Sequence, residues 1–348
     1  MKSHFSSLNT ITTEPYNAET PHAVLMKDIT PTDLFYVRNH FAVPIIDAGD
    51  WALELGGAVE KPLQFSLLEI QKLPPKTLNV ILECAGNGRS TLNPAPNGTP
   101  WNLGAVSQAR FIGTSLNNLF KELTISRDAI EMLFVGADQG TTRTKQTTTY
   151  ARSLPLEVAL HPDTMLAWEM NGEPLPLQHG YPLRLVVPGW YGMASVKWLR
   201  QISLLRERFE GFFQKDEYVY VGESGIPDGT PVTSMRARAL IVEPSPEAIL
   251  PAGEVQLAGI AWSGEGSITR VELSFDDGAT WLEADLETAR YPYSSQRWKF
   301  NWNMDIPGQY AITVRATDSR GNFQPLTQRW NKGGYGNNKA QQVTVSIN

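Results

Sequence analysis

The sequence predicts an α+β protein in two parts: a mixed domain over residues 1–238, opening on an extended arm, and an all-β immunoglobulin-like sandwich over residues 239–348. Three observations predict this. Before about residue 240, short apolar runs of strand character alternate with stretches of helical period. After it, period-two alternation dominates, as in Val271, Leu273 and Phe275 against Glu272 and Ser274, or in Ile312, Val314 and Ala316. Between the two, Pro244, Pro246 and Pro251 mark a linker. A chain of 348 residues is long enough for about two cores.

In chain order, residues 1 to about 30 are polar and broken by Pro15, Pro21 and Pro31, which predicts an extended arm on the domain surface. Residues 34–44 are aromatic and β-branched but interrupted by Arg38, Asn39 and His40. Such a triplet either sits in a solvated loop between two short strands or forms a hydrogen-bonding platform for something polar. Residues 78–82 read as a buried strand. Leu116, Leu119, Phe120 and Leu123 fall at helical spacing behind Ser115, predicting a capped amphipathic helix whose stripe lies in the core. Residues 131–138 are a further apolar strand, ending in Asp138 at a glycine-containing exit. A second helix starts near Ser153 with Pro155 in its first turn and stops at Pro162. Residues 164–170 read as a strand closed by a turn at Asn171 and Gly172. Leu183, Leu185 and Val187 alternate onto one face and leave Arg184 on the other, where a cation needs an anion. In the sandwich, about seven short strands are expected, with a hairpin turn at Asp277 and Gly278. The glycine-rich residues 332–338 either reach back to the first domain or form a mobile surface connection, and the sequence unaided favours the second.

Composition excludes several classes. A net charge of -6 leaves no basic excess for phosphates, so a general nucleic-acid binder is not expected. With 41% hydrophobic and 19% charged residues the chain has an ordinary globular composition, and nowhere do 18 apolar residues run together, so no membrane span is expected. The N-terminus lacks the apolar core of a signal peptide, which predicts a cytoplasmic protein, or a periplasmic one if a leader has been removed. One cysteine makes no internal disulfide and no cysteine-rich zinc or iron-sulfur site. The nucleophile elbow, H-E-x-x-H, Walker and kinase motifs are all missing, Gly86-Asn87-Gly88 is a poor dinucleotide fingerprint, and the five histidines are scattered.

The stretch that remains is residues 78–90, which carry that cysteine. Cys84 sits where the strand becomes a loop, Gly86 and Gly88 let backbone approach a bulky group, and Arg89 adds a fixed positive charge. A lone cysteine after an apolar run is ordinarily a small core residue. The other reading is a soft-metal ligand beside an anion.

Taken together, the segments resemble the sulfite oxidase family, in both its molybdenum domain and its dimerisation domain. The likeness runs from about Glu14 to the end. It rests on Tyr36-Val37-Arg38-Asn39-His40, Cys84-Ala85-Gly86-Asn87, the Ala-Trp-Glu-Met-Asn-Gly-Glu-Pro-Leu-Pro run at 167–176, His179-Gly180-Tyr181-Pro182 and Ser195-Val196-Lys197-Trp198-Leu199, all in the family's order. The resemblance implies a sulfite-oxidase-type molybdopterin-binding domain with Cys84 as the thiolate on molybdenum. It implies that Tyr36, Val37, Arg38, Asn39, His40, Asp138, His179, Arg184, Ser195, Val196 and Lys197 hold the molybdopterin and its phosphate. Arg38, Arg89 and Tyr218 match the family's substrate-side residues. Two departures stand out: Gly88 where a second arginine often precedes Arg89, and Lys332 where a substrate-side arginine is expected.

The implied activity is oxidation of sulfite to sulfate by oxygen-atom transfer. With no C-x-x-C-H site for haem, electrons would pass to a separate acceptor such as a cytochrome or oxygen, and the sandwich would make a homodimer. The alternatives are a nitrate reductase-type or other oxyanion or sulfoxide molybdoenzyme of the same family, and a non-catalytic binding module with an inert core cysteine.

Overall fold

The computed structural model describes residues 7–121 and 123–348. Residues 1–6, on which the leaderless reading of the N-terminus rests, and Glu122 of the expected helix lie outside the described residues.

The cysteine strand, Pro75–Glu83, pairs antiparallel with Val106–Ser115, which pairs in turn with Met165–Met170. Arg184–Val186 and Glu173–Pro174 complete that sheet along Met165–Met170. Alternate residues of the cysteine strand face two different cores: Val80, Leu82 and Cys84 join Tyr36 and Trp101, while Ile81 and Ala85 join the main cluster. Burial on both faces is why this run is apolar throughout instead of alternating. A second five-stranded sheet runs Leu63–Ser66, Ala52–Gly57, Leu199–Leu205, Glu131–Thr141, Thr147–Pro155. Leu199–Leu205 is parallel to Ala52–Gly57 and antiparallel to Glu131–Thr141, so the sheet is mixed.

The sandwich packs a four-stranded sheet (Arg238–Glu243, Gly253–Trp262, Gln296–Met304, Asp285–Leu286) on a five-stranded one (Ile249–Leu250, Gln341–Ile347, Gly308–Asp318, Ile268–Ser274, Leu282–Glu283). Asp277 and Gly278 turn with φ of 55° and 90°, as the hairpin signal predicts, and so do Asn171 and Gly172, at 56° and 90°. Leu240, Val242, Ile260 and Trp262 of the sandwich are part of the first domain's main core.

Several elements differ from the sequence reading. The predicted helix behind Ser115 is a 3-10 turn, Leu116–Phe120, with no side-chain cap, because Ser115 is spent as the last residue of the preceding strand. Of its apolar stripe Leu116, Leu119 and Phe120 are buried as expected, and Leu123 is half-buried against the same core. Ser153 lies inside the strand Thr147–Pro155, where threonines and Tyr150 favour extended chain, so the second helix shrinks to Leu156–Ala159. Glu131–Thr141 runs on past Asp138, which sits in a bulge between Val135 and Gln139. Residues 34–44 hold no paired strand beyond a single bridge from Val37 to Ala18. The N-terminal arm folds as a hairpin, Asn9–Thr13 with Tyr16–Glu19, and buries Asn17, Ala18 and Glu19. Pro244, Pro246 and Pro251 lie within the sandwich, between its first strands, and link no domains.

Among the described residues the α-helices have at most five residues, and Leu67–Gln71 is the one with a reciprocal cap. Ser66 Oγ accepts from Glu69 N–H at 3.3 Å and Glu69 Oε2 accepts from Ser66 N–H at 2.8 Å. Ser66→Ala is expected to destabilise the protein by about 1 kcal/mol in urea unfolding.

Candidate active site

The site grows from the end of the cysteine strand. Cys84 is buried, its N–H bonds Ala105 O at 2.9 Å, and its carbonyl closes a tight turn by accepting from Asn87 N–H at 2.9 Å. A Cβ on Gly86 would lie 2.6–2.7 Å from the Arg89 guanidinium, so only glycine lets Arg89 fold back over the loop. Gly88 takes φ 80°, with Asn337 and Leu103 atoms 3.3 Å from where a Cβ would lie. The position that carries a second arginine in the resembling family is thus closed here by the sandwich domain and by backbone conformation.

Arg89 is held from both domains. Its Nε donates to Gly333 O at 2.9 Å, its Nη1 donates to Thr99 O at 2.7 Å, and its guanidinium lies 5.3 Å from the centre of the Tyr335 ring. Residues 332–338 therefore reach back to the first domain, with Gly336 N–H on Ala85 O at 2.8 Å, and the mobile-connection reading is overturned. One residue before Gly333, Lys332 itself is exposed at the rim.

Arg38, Asn39 and His40 form the platform, not a solvated loop. Arg38 Nη1 donates to Asn17 Oδ1 at 3.3 Å and to the carbonyl of Asn39, and Nη2 meets His40 Nδ1 at 3.0 Å. Tyr218 OH lies 2.6 Å from His40 Nε2, and Tyr218 holds a left-handed φ of 53°, a strained conformation that aims its ring into the site. Burial, reinforced by Arg38 and Lys197, holds His40 well below its ordinary range, so the ring is neutral. Burial also pushes Tyr218 up to about 12, against the pull of Arg38. The Cys84 thiol is raised by burial, with Arg38 and Arg89 opposing.

Deeper in, a narrow slot is lined by Tyr36, Asn39, Asp138, His179, Arg184, Ser195 and Lys197. Arg184 Nη1 donates to His179 O at 3.0 Å and Nη2 to Ser195 O at 3.4 Å. Lys197 Nζ donates to Gln178 O at 2.8 Å and to Asn39 Oδ1. Burial lowers Arg184 to about 10, against the pull of Tyr36, and burial together with the Arg184 charge lowers Lys197 well below its usual range, with Asp138 opposing. Asp138 is raised to about 6 by burial, with Lys197 pulling it down. Arg184 Nε and Asp138 Oδ1 are buried without a partner. Val37 and Val196 are placed differently: both are buried apolar residues that pack and carry backbone bonds without lining the slot.

His179 is lowered to about 3, first by burial and then by Lys197 and Arg184. A histidine held neutral in the fold contributes stability that is complete above the unfolded value of 6.5 and is lost as pH falls toward 3. Melting temperatures of cofactor-free protein should fall through this window, less steeply for His179→Gln.

Sequence reasoning missed Tyr335, whose OH donates to Glu217 Oε2 at 2.6 Å and whose ring lies 5.1 Å from Tyr218. It also missed Glu83, buried beside Cys84 with Arg238 and Trp262 of the sandwich. A carboxylate inside an apolar strand was the available signal.

A family model described as an oxidoreductase molybdopterin binding domain matches residues 40–213, and one described as a Mo-co oxidoreductase dimerisation domain matches residues 230–348. Fold and site together define a molybdopterin-dependent oxidoreductase. The chain is 34% identical over 356 residues to the mitochondrial sulfite oxidase of Rattus norvegicus, covering 96% of this chain and 64% of that relative. It is 32% identical over 372 residues to the sulfite oxidase of Arabidopsis thaliana, covering 98% of this chain and 94% of the relative. The crystal structure of the sulfane dehydrogenase SoxCD from Paracoccus pantotrophus superposes with a TM-score of 0.83 at 28% identity, covering 98% of this chain and 86% of the other. The chain belongs to the sulfite oxidase family, and spans 64% of the length of the rat relative.

The residues present fit the family's cofactor. Three cations, the buried Arg184 and the half-buried Arg38 and Lys197, surround the slot with Asp138 as its carboxylate, an imbalance that a phosphate-bearing group corrects. Among the described residues no group of three or more His, Cys, Asp or Glu gathers. A metal at Cys84 would have one protein thiolate and would take its other soft donors from the sulfurs that a molybdopterin brings.

Proposed function

We propose that the protein oxidises sulfite to sulfate at a molybdenum-molybdopterin centre ligated by Cys84, and that the electrons leave to a separate acceptor. The observation that carries this is the convergence of the single thiol with Arg38, Arg89 and Tyr218 on one cavity. When bound, the centre supplies the oxygen-atom transfer and stores two electrons. The slot residues orient it: Arg184 and Lys197 offer charge to the phosphate, and Asn39 and His179 line the slot beside them.

On the substrate side, Arg89 and Arg38 draw the anion to the thiolate end and stabilise its charge in a site partly screened from water. Both guanidinium groups are preset by carbonyl partners, so little reorganisation is needed when the anion arrives. Tyr218 keeps its proton at neutral pH and shares it with the neutral His40 ring across 2.6 Å, so the pair can hold a proton at the phenol oxygen or Nε2 beside the reacting anion. The residues matching the dimerisation model support a homodimer built through the sandwich.

Metal analysis beside a sulfite-dependent ferricyanide assay, on protein from a host that makes the cofactor, tests this reading. Molybdenum stoichiometric with the chain, with sulfite turnover, is the expected result. Absence of molybdenum overturns the reading, and molybdenum without turnover moves the substrate. Arg89→Gln should raise the KM for sulfite by roughly 10-fold to 100-fold, the worth of a charge-assisted hydrogen bond. A monomer in sedimentation at micromolar concentration removes the dimer.

A further inference from the structure

The outer cavity is larger and more divided in character than a four-atom anion requires. Its volume is about 370 Å³, within the range of sites that bind organic ligands. At the inner end stand Arg38, Arg89 and Cys84. The same lining holds an aromatic wall of Phe212, Phe213 and Tyr335, and an exposed rim where Asp216 and Glu217 stand with Arg143 and Lys332.

Three further details narrow what fits. The Nε–H of Arg89 is spent on Gly333 O, which breaks the side-on fork that grips two oxygens of an anion and leaves Nη2 without an intramolecular acceptor. Glu217 is kept in place by Arg143 Nε at 2.7 Å and by Tyr335 OH at 2.6 Å, so the rim carboxylates of Asp216 and Glu217 are matched by Arg143 and Lys332 and the entrance holds no cationic excess to draw in a dianion. Phe212 is half-buried and lies under the Arg143 guanidinium, 5.5 Å from its ring centre, giving the rim an ordered apolar wall.

We propose that the cavity accepts organic sulfinates, in which a two-oxygen, singly charged sulfur head meets Arg89 and Arg38 while an apolar substituent packs on Phe212 and Tyr335. The inference rests on the oxidase reading of the same site and names its substrate class. A sulfinate keeps a lone pair on sulfur, as sulfite does. Its oxidation balances as R–SO2⁻ + H2O → R–SO3⁻ + 2 H⁺ + 2 e⁻: one sulfur–oxygen bond forms with oxygen from water, sulfur loses two electrons, and these leave to a one-electron acceptor, two ferricyanide ions in the assay. Compared with sulfite, one oxygen is replaced by carbon, which gives the aromatic wall something to cover.

The test uses molybdenum-replete full-length protein with benzenesulfinate and sulfite as alternative substrates, and benzenesulfonate and sulfate as redox-inert ligands in calorimetry. Benzenesulfinate turnover to a sulfonate carrying one oxygen from labelled water is expected, with benzenesulfonate binding at least about tenfold more tightly than sulfate through burial of its ring. Phe212→Ala should lower that preference at least about threefold, since it removes the wall and leaves the arginines. Sulfite turnover without benzenesulfinate turnover, and with benzenesulfonate binding no tighter than sulfate, overturns the sulfinate proposal and leaves the sulfite reading standing. Benzenesulfinate turnover without sulfite turnover does the reverse. Turnover of neither by loaded protein ends both.

Discussion

Cys84→Ser protein is expected to fold normally and to lose sulfite turnover by at least about three orders of magnitude, a barrier increase of about 4 kcal/mol. The fold survives because the exchange is nearly isosteric and the two backbone bonds that shape the turn, Cys84 N–H to Ala105 O and Asn87 N–H to Cys84 O, do not involve the side chain. Activity does not survive, because serine offers a hard, weakly acidic oxygen where a soft thiolate belongs. The thiol's environment sharpens the contrast. Burial raises its pKa, so without a metal it stays protonated, and on the proposed ligation it would give up its proton with Arg38 and Arg89 nearby to balance the thiolate. Circular dichroism and a melting curve within a few degrees of wild type, beside a ferricyanide assay, separate the two effects. Wild-type turnover in the serine variant would return Cys84 to the status of a core residue.

What could be read from the sequence divides along physical lines. The cysteine strand was legible because burial on two faces forces an unbroken apolar run, and because no second thiol competes for the role. Arg184 was legible for a related reason: a cation between Leu183 and Leu185 is costly unless something anionic meets it. The helix expected over 115–123 failed because spacings of three and four residues suit a 3-10 turn as well as a longer helix, and only the neighbouring strand decides how long the turn can be. Residues 332–338 failed differently. Gly334 and Gly336 take φ of 59° and 60°, and glycine needed for close approach looks the same in sequence as glycine in a mobile loop. What distinguishes them is the partner, Ala85 and Arg89 in the other domain, and such pairing leaves no local trace. The same holds for Glu83, whose counter-charge arrives from the start of the sandwich.

That counter-charge sets up the second large effect. Arg238→Ala is expected to destabilise the protein by about 3–5 kcal/mol, the cost of stranding a buried charge. Arg238 Nε stands 3.4 Å from Glu83 Oε1, and the two side chains are 3% and 1% exposed, so neither can turn to water. Glu83 also accepts from Trp262 Nε1 at 2.9 Å and from Asn87 Nδ2 at 3.0 Å, and Arg238 Nη2 donates to Asn87 O at 3.4 Å. Asn87 lies in the turn that begins at Cys84, so the loss is felt where the thiolate is held. Burial already raises the Glu83 carboxyl, with Arg238 opposing, and removing Arg238 raises it further. A carboxyl with a raised folded pKa contributes stability that is fully present below its unfolded value and is lost as pH rises through the folded one. The penalty for Arg238→Ala should therefore shrink as pH falls, because the stranded carboxylate takes up a proton. Urea unfolding at pH 8 and pH 5 reads this directly. Glu83→Gln in the same chain should recover part of the loss at the higher pH by removing the charge itself. By contrast Lys215→Ala breaks a 2.8 Å pair with Glu210 that is exposed on both sides, and should leave the unfolding midpoint essentially unchanged at either pH. An Arg238→Ala protein as stable as wild type at pH 8 would mean that Glu83 is already neutral in the native fold.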